Sequence, residues 1–149
     1  MTLAYQLIDF KNPVFLAYTL WSVTLALKMM YLSMHTAIFR FKNQTFANPE
    51  DGGRRNVHFN NEEVERVRRA HRNDMENILP AFLIGLLYVL IEPSTLSACL
   101  LFKIGAIARI IHTVVYAIVV IPQPARVLAF AIHYIITIYM GVSVLYHLF

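Results

Sequence analysis

The chain has 149 residues, of which 58% are hydrophobic and 15% carry a charge. A soluble domain carries roughly 25% charged residues, so the composition indicates a single domain that sits in a lipid bilayer. The formal net charge is +4, and eight of the thirteen lysines and arginines lie between Arg40 and Arg72. A basic cluster between hydrophobic segments, mixed with glutamates, is more typical of a cytosolic loop than of a nucleic-acid site, so no nucleic-acid partner is expected. The single cysteine, Cys99, excludes an intrachain disulfide.

The first hydrophobic segment covers about residues 14–39, and only Lys28 within it is fully charged. Asn12-Pro13 immediately before it is a helix-start signal. About 20 helical residues cross a bilayer core of roughly 30 Å, so this segment is long enough to span the membrane. No cleavable signal peptide is apparent before it, and we expect the first helix to act as its own membrane signal.

The second segment, residues 64–91, begins with charged residues and ends with apolar ones. Its apolar part starts at about Met75 and is short for a span, so the charged turns are expected to continue from it as one helix. Two further apolar segments follow, at about residues 95–121 and 124–149. Because the connections between the last three segments are short, neighbouring helices are expected to pack antiparallel. The sequence therefore predicts an all-α fold, a membrane-spanning up-down four-helix bundle that forms one domain over residues 1–149.

The loop over residues 40–65 fixes the expected orientation. It contains the turn-rich stretch "NPEDGGRRN" and many basic residues, which favour the cytosol. Both termini then fall on the lumenal side. Asn43-Gln44-Thr45 is the one glycosylation sequon, and this orientation predicts that it is never glycosylated.

Polar side chains share faces on the predicted membrane helices. At 100° per residue, five side chains of the second helix fall within an arc of about 100°. The third helix has a similar group, and the fourth begins with one arginine. These residues are Arg66, Arg69, Asn73, Glu76 and Asn77, then Arg109, His112, Thr113 and Tyr116, and finally Arg126. Each charge inside a membrane costs about 2.5–3.5 kcal/mol on insertion scales, so such faces suggest function.

Two interpretations of the polar faces are open. Glu76 and Arg109 can pair to hold the bundle together, with Arg126 at the lipid headgroups. Alternatively, because basic residues outnumber carboxylates in these helices, the cations bind an anionic, polar ligand at the cytosolic end, within reach of lipid. The six histidines show no metal-ligand spacing, so no metal is expected.

Four motifs resemble those of the MAPEG family, the membrane-associated proteins of eicosanoid and glutathione metabolism. They are "FANPED" (46–51), "ERVRRAHRNDMEN" (65–77), "GAIARIIHTVVY" (105–116) and "PQPAR" (122–126). Within the family the chain looks most like the glutathione transferase branch. The resemblance implies a homotrimer of four-helix subunits in the endoplasmic reticulum membrane, with the outer mitochondrial membrane as a second location.

The resemblance also implies that glutathione, as co-substrate, binds between adjacent subunits near the cytosolic face. Matching the family motifs gives the residues expected to bind it, which are Arg40, Arg69, His71, Arg72, Asn73, Glu76, Arg109 and His112. Arg40 matches a basic residue that reaches into a neighbour's site. We expect Arg126 and Tyr116 to be catalytic, because a guanidinium and a hydroxyl beside the sulfur favour the thiolate over the thiol.

The resemblance leaves three functions to compare. The leading one conjugates glutathione to hydrophobic electrophiles and also reduces lipid hydroperoxides. The second is a prostaglandin E synthase-like isomerase, but such members have a serine and a tyrosine where this chain has Val127 and Phe130. The third is a lipid-binding scaffold without catalysis, which would not need the full set of arginines.

Overall fold

The computed structural model describes residues 4–52 and 61–149, and within these ranges the chain is helical, without a strand. The predicted loop over residues 40–65 is therefore only partly covered, because residues 53–60 lie outside the described ranges. The helices are α1 (Ala4–Leu7), α2 (Pro13–Lys42), α3 (Glu62–Leu90), α4 (Thr95–Thr113) and α5 (Ala125–Leu148). A 3-10 turn covers Pro49–Gly52, and a π turn, Val114–Ile118, continues α4. The four long helices confirm the predicted fold class.

Two helix starts are fixed by asparagine caps. The Asn12 side chain accepts a hydrogen bond from the backbone N–H of Val14, and Pro13 occupies the first helical position. The Asn61 side chain accepts hydrogen bonds from the first turn of α3, which is rich in glutamate and so complements the helix dipole. From this cap α3 continues through Pro80 to Leu90, so its charged and apolar halves form one helix, as predicted.

Three apolar layers fill the bundle and show how the helices run. In one end layer Val14 packs with Tyr88, Ala98 and Met140, so the start of α2 lies beside the end of α3, the start of α4 and the end of α5. The middle layer contains Leu25, Ile78 and Ala106, and the opposite end layer contains Leu32, Val67, Ala70 and Ala117. From layer to layer the residue numbers rise along α2 and α4 and fall along α3. Successive long helices therefore run in opposite directions.

Around the bundle the helices follow the order α2, α3, α5, α4. The predicted antiparallel direction of consecutive helices is confirmed, but α3 and α4 stand diagonally, and each packs mainly on α2 and α5. The connection can cross the diagonal because its few residues reach about 3.5 Å each, while adjacent helix axes are only roughly 8–10 Å apart.

Three helical stretches are long and apolar enough to cross a membrane: Pro13–Lys42, Thr95–Ile118 and Ala125–Leu148. These stretches carry many exposed large apolar side chains on their outer faces, as lipid-facing helices do. Helix α3 is not among them because its first half is charged. The chain is a membrane protein, and the charged first half of α3 packs on the last part of the α2 stretch through Val67 and Ala70.

Candidate active site

A basic groove lies between α2 and α3 at the charged end of the bundle. Its volume is about 540 Å³. Three of its arginines, Arg40, Arg69 and Arg72, were predicted to bind glutathione, as was His71. The full lining comprises Ser33, Thr36, Ala37, Arg40, Glu65, Arg68, Arg69, His71, Arg72 and Met75. The groove therefore combines guanidinium groups with an apolar wall, as an anion beside a membrane requires.

Each arginine of α3 in this basic groove forms an exposed ion pair with a glutamate of the same helix. Arg72 Nε lies 3.1 Å from Glu76 Oε1, four residues along the helix. Arg69 pairs with Glu62, and Arg68 with Glu65. Exposed pairs of this kind stabilise a fold by only about 0–1 kcal/mol, so a ligand carboxylate can replace the glutamate at small cost.

Tyr116 is the centre of a second group on the α4 and α5 side of α3. The guanidinium carbon of Arg126 stands 4.9 Å from the centroid of its ring, in a cation–π contact. Hydrogen bonds to Glu62 and to the Tyr116 hydroxyl raise the pKa of Arg69 above its ordinary value. The His112 ring lies 5.5 Å from the Tyr116 ring. Two cations and a phenol from three helices thus meet at one point.

Arg126 retains an unused donor. Its Nε is buried and has no hydrogen-bond partner within the described part of the chain. A buried guanidinium N–H without an acceptor is costly, so the hydrogen bonding of Arg126 is incomplete within the described residues.

A cluster of buried charges lies one layer below. Asp74 is fully buried on α3, and its two carboxylate oxygens contact Arg109 at 2.5 Å and Lys28 at 2.6 Å. The Arg109 guanidinium is also fully buried. We did not predict Asp74 or Lys28 as site residues. Two features of the sequence could have indicated this cluster: Lys28 is the one charge in the first apolar segment, and Asp74 is a carboxylate on the inward face of α3.

The buried cluster corrects the structural alternative for the polar faces. Arg109 pairs with Asp74 rather than with Glu76, and Glu76 pairs with Arg72. Arg109 Nη2 also lies 2.9 Å from the side-chain oxygen of Asn73. That contact fixes which end of the Asn73 amide faces inward, so the amide nitrogen faces away from the cluster.

The structure divides the predicted residues by accessibility. Arg40, Arg69, His71 and Arg72 line the basic groove, and Asn73, Glu76, Tyr116 and Arg126 are exposed or half-buried. Arg109 and His112 are buried inside the subunit. No three histidine, cysteine or acidic side chains come together as metal ligands in the parts of the chain that the structure describes.

An apolar groove of about 370 Å³ runs between α3 and α5. It begins at Glu76 and Asn77, and its deeper walls are made mainly of apolar side chains. The lining residues are Glu76, Asn77, Pro80, Ile84, His133, Tyr134, Thr137, Ile138, Gly141, Val142 and Leu145. The groove therefore connects the polar end of the bundle to the lipid-facing surface.

Comparison with known proteins places these features in a family. The MAPEG family model matches residues 18–146. Microsomal glutathione S-transferase 1 of Rattus norvegicus is 45% identical over 147 residues, covering 94% of this chain and 93% of that protein. The protein of the same name in Homo sapiens is 41% identical over 141 residues, covering 90% of each chain.

A second group of relatives is less similar. Prostaglandin E synthase of Equus caballus is 37% identical over 119 residues, covering 78% of this chain and 77% of that protein. On the evidence of the family match, the identities and the bundle itself, the chain belongs to the MAPEG family.

Proposed function

We propose that this protein is a membrane-bound glutathione transferase that ionises the thiol of glutathione and conjugates it to hydrophobic electrophiles. The observation that carries the proposal is the meeting of Arg69, Tyr116 and Arg126 beside the basic groove. The similarity to the microsomal glutathione S-transferases supports the same activity.

Glutathione is an anion with two carboxylates, an ammonium and a thiol, and the exposed groups complement it. Arg69, Arg72 and Arg40 offer planar guanidinium groups, which bind carboxylates with two parallel hydrogen bonds. Glu76 can release Arg72 and accept the ammonium. The Asn73 amide nitrogen adds a neutral donor. Arg109 is buried, so in this proposal it supports Asn73 from behind.

Arg126 and Tyr116 act on the sulfur. A free thiol has a pKa of about 8.5, and lowering it by two units takes roughly 2.7 kcal/mol of preferential thiolate stabilisation. The positive charge of the Arg126 guanidinium and the Tyr116 hydroxyl, which lie side by side, stabilise the thiolate. The thiol proton passes to water. The thiolate electron pair then forms a bond to the electrophilic carbon, and the leaving group departs with the electrons of the broken bond.

The apolar groove between α3 and α5 gives the second substrate a route from the bilayer to the sulfur. The thiolate can equally attack the terminal oxygen of a lipid hydroperoxide. In that reaction the O–O bond breaks, the alkoxide leaves and takes a proton from water to become the alcohol, and a second glutathione converts the sulfenic acid to glutathione disulfide and water. Both reactions use the same activated sulfur.

We place the enzyme in the endoplasmic reticulum membrane, with the outer mitochondrial membrane as a second location, and assign it a homotrimeric state. The word "microsomal" in the names of its relatives supports the first assignment. Membership of the MAPEG family supports the homotrimeric state, since the family resemblance implies trimers of four-helix subunits.

The proposal is tested by titrating the detergent-solubilised protein with glutathione at neutral pH and following the ultraviolet absorbance of the thiolate. We expect absorbance to rise to saturation, and S-methylglutathione, which has no ionisable thiol, to give no rise. Saturable binding of glutathione without thiolate would exclude the transferase mechanism and favour the lipid-binding scaffold.

Prostaglandin E synthase activity is the second candidate because relatives of that name match most of the chain. Val127 and Phe130 disfavour it, since the synthase-like members carry hydroxyl groups there. Prostaglandin E formation from the endoperoxide far faster than conjugation of a simple electrophile would reverse the ranking.

A further inference from the structure

Lys28 joins three helices at the buried cluster. Its side chain is 10% exposed, and its Nζ lies 2.6 Å from Asp74 Oδ2 on α3. The same nitrogen donates to the backbone oxygen of Arg109 at 3.2 Å and to the hydroxyl of Thr113 at 2.9 Å, both on α4. Each of its three contacts is thus made with a helix other than its own.

The two contacts on α4 lie where the helix changes form. Thr113 is the last residue of α4, and the π turn that follows, Val114–Ile118, carries Tyr116 at its centre. The turn is closed by a hydrogen bond from the backbone N–H of Val119 to the carbonyl of Val114 at 2.8 Å. A π turn is less favourable than a continued α-helix and occurs mostly as a single turn, frequently at functional sites. A cation near the carbonyl end of a helix is also favoured by the helix dipole.

Charge balance does not account for Lys28. Arg109 alone neutralises Asp74, at 2.5 Å. With Lys28 protonated, the cluster of Lys28, Asp74 and Arg109 carries a net charge of +1. A second buried cation adds a desolvation cost that an apolar side chain at position 28 would avoid. An apolar residue at position 28 could not donate hydrogen bonds to the backbone oxygen of Arg109 and the hydroxyl of Thr113, so these two contacts distinguish Lys28.

We infer that Lys28 is a positioning residue that holds the end of α4 in the form that presents Tyr116 to Arg126 and to the sulfur of glutathione. The catalytic role of Tyr116 in this inference rests on the proposed function. The stabilisation of the π turn by Lys28 does not depend on that function. Lys28 itself is buried behind Thr113 and touches no substrate.

The test compares Lys28→Met, which keeps the length and removes the charge, with Lys103→Met. Lys103 is also a lysine within an apolar helix, but it lies on α4 and is exposed, so it serves as the matched control. Hydrogen exchange of the peptide covering residues 114–121 reports the π turn without glutathione. We expect faster exchange there in Lys28→Met and wild-type exchange in Lys103→Met. Unchanged exchange in folded Lys28→Met would overturn the hold on the turn.

Catalysis supplies the second readout. Lys28→Met should lower kcat by roughly 10-fold to 100-fold, as for a misplaced catalytic group, while KM for glutathione changes little. Tyr116→Phe and the double variant Lys28→Met/Tyr116→Phe complete a double-mutant cycle. We expect the double variant to be no slower than Tyr116→Phe, because Lys28 acts through Tyr116. Additive losses would show that Lys28 acts independently of Tyr116 and would overturn the inference.

Thr113→Val keeps the shape of Thr113 and removes its hydroxyl, which accepts from Lys28 Nζ at 2.9 Å and donates to Asp74 Oδ2 at 3.4 Å. It decides the matter if Lys28→Met does not fold. Faster exchange over residues 114–121 in Thr113→Val supports the inference, and wild-type exchange and kcat in that variant overturn it. If the wild-type protein forms no thiolate, the proposed function fails, and the exchange measurements still decide whether Lys28 holds the turn.

Discussion

Arg126 is placed for chemistry on a sulfur atom because its guanidinium is both anchored and incompletely bonded. The Tyr116 ring holds one face of the group, and the Nε donor is buried without an acceptor in the described structure. A thiolate beside this guanidinium would be stabilised by its positive charge. The neutral thiol gains much less, so the interaction favours ionisation.

The first prediction concerns Arg126→Ala. We expect kcat to fall about 100-fold, because two pKa units of thiolate stabilisation correspond to roughly 2.7 kcal/mol. Affinity for glutathione should change several-fold at most, since the carboxylates bind elsewhere. Steady-state kinetics and direct binding measure the two effects. Lys11→Ala removes an exposed cation near the opposite end and should leave both unchanged. Equal losses of kcat and affinity would contradict the role assigned to Arg126.

Arg69→Ala gives the complementary prediction. Arg69 is exposed, pairs with Glu62 and contacts the Tyr116 hydroxyl, so it links the basic groove to the sulfur position. We expect affinity for glutathione to fall by about 10-fold or more, as for the loss of a charge-assisted hydrogen bond. Calorimetric titration with glutathione measures it. Unchanged affinity would remove Arg69 from the ligand site.

At the scale of elements, α3 is the organising helix. One face packs into the bundle through Val67, Ala70 and Asp74, and the opposite face carries the ion-paired arginines. Asp74 ties α3 to α2 through Lys28 and to α4 through Arg109. The charged cluster lies between the middle apolar layer and the Leu32 layer, where water does not reach it. Lys28, Asp74 and Arg109 therefore both fix the relative positions of the helices and support the site residue Asn73 from inside the bundle.

Asp74→Asn should be strongly destabilising. It leaves Lys28 and Arg109 buried without a counter-ion, which typically costs about 3–5 kcal/mol. Unfolding in detergent, followed by circular dichroism against temperature or denaturant, measures the loss. Glu62→Gln is the matched carboxylate-to-amide control, because Glu62 forms an exposed pair worth about 1 kcal/mol or less. Similar losses in the two variants would show that the buried cluster does not hold the helices.

For the whole molecule, orientation decides where glutathione arrives. The basic groove and the Tyr116 group lie at the end of the bundle where α2 finishes and α3 begins. The basic loop is expected to keep that end in the cytosol. Water-soluble glutathione would then enter from the cytosol, while the electrophile enters from the bilayer.

Orientation predicts that Asn43 carries no glycan when the protein is made in microsomes. The Asn43 amide also donates a hydrogen bond to the backbone oxygen of Phe39 at 3.0 Å. A sequon on a flexible extension added after Phe149, which is predicted to face the lumen, should be glycosylated and serves as the positive control. Endoglycosidase-sensitive gel shifts measure both, and a glycan on Asn43 would reverse the orientation.

Subunit exchange tests the proposed trimer. In the single subunit Arg40 lines the basic groove of its own chain, whereas the family resemblance assigns it to a neighbour's site. If sites lie between subunits, co-expression of Arg40→Ala and Arg126→Ala chains should restore up to about a quarter of wild-type activity, because some interfaces then contain both arginines. Separately purified and mixed trimers, unable to exchange, are the control. No recovery in co-expressed trimers of confirmed mass would place Arg40 and Arg126 in one subunit.

The sequence by itself determined the membrane class, the four long helices and four of the side chains that line the basic groove, namely Arg40, Arg69, His71 and Arg72. Apolar runs of spanning length, an asparagine cap before Pro13 and the arginine spacing on α3 are local properties, which local physics translates directly into helices and faces. These local properties predict the helix starts and most of the polar face of α3.

Only the tertiary structure decided which charges are buried together. Lys28, Asp74 and Arg109 are distant in sequence, and no local period links them. Their meeting depends on the diagonal placement of α3 and α4 and on α2 packing against both. The π turn that carries Tyr116 depends likewise on contacts from another helix. Burial makes these long-range contacts energetically decisive, because a charge removed from water must find its partner inside the fold.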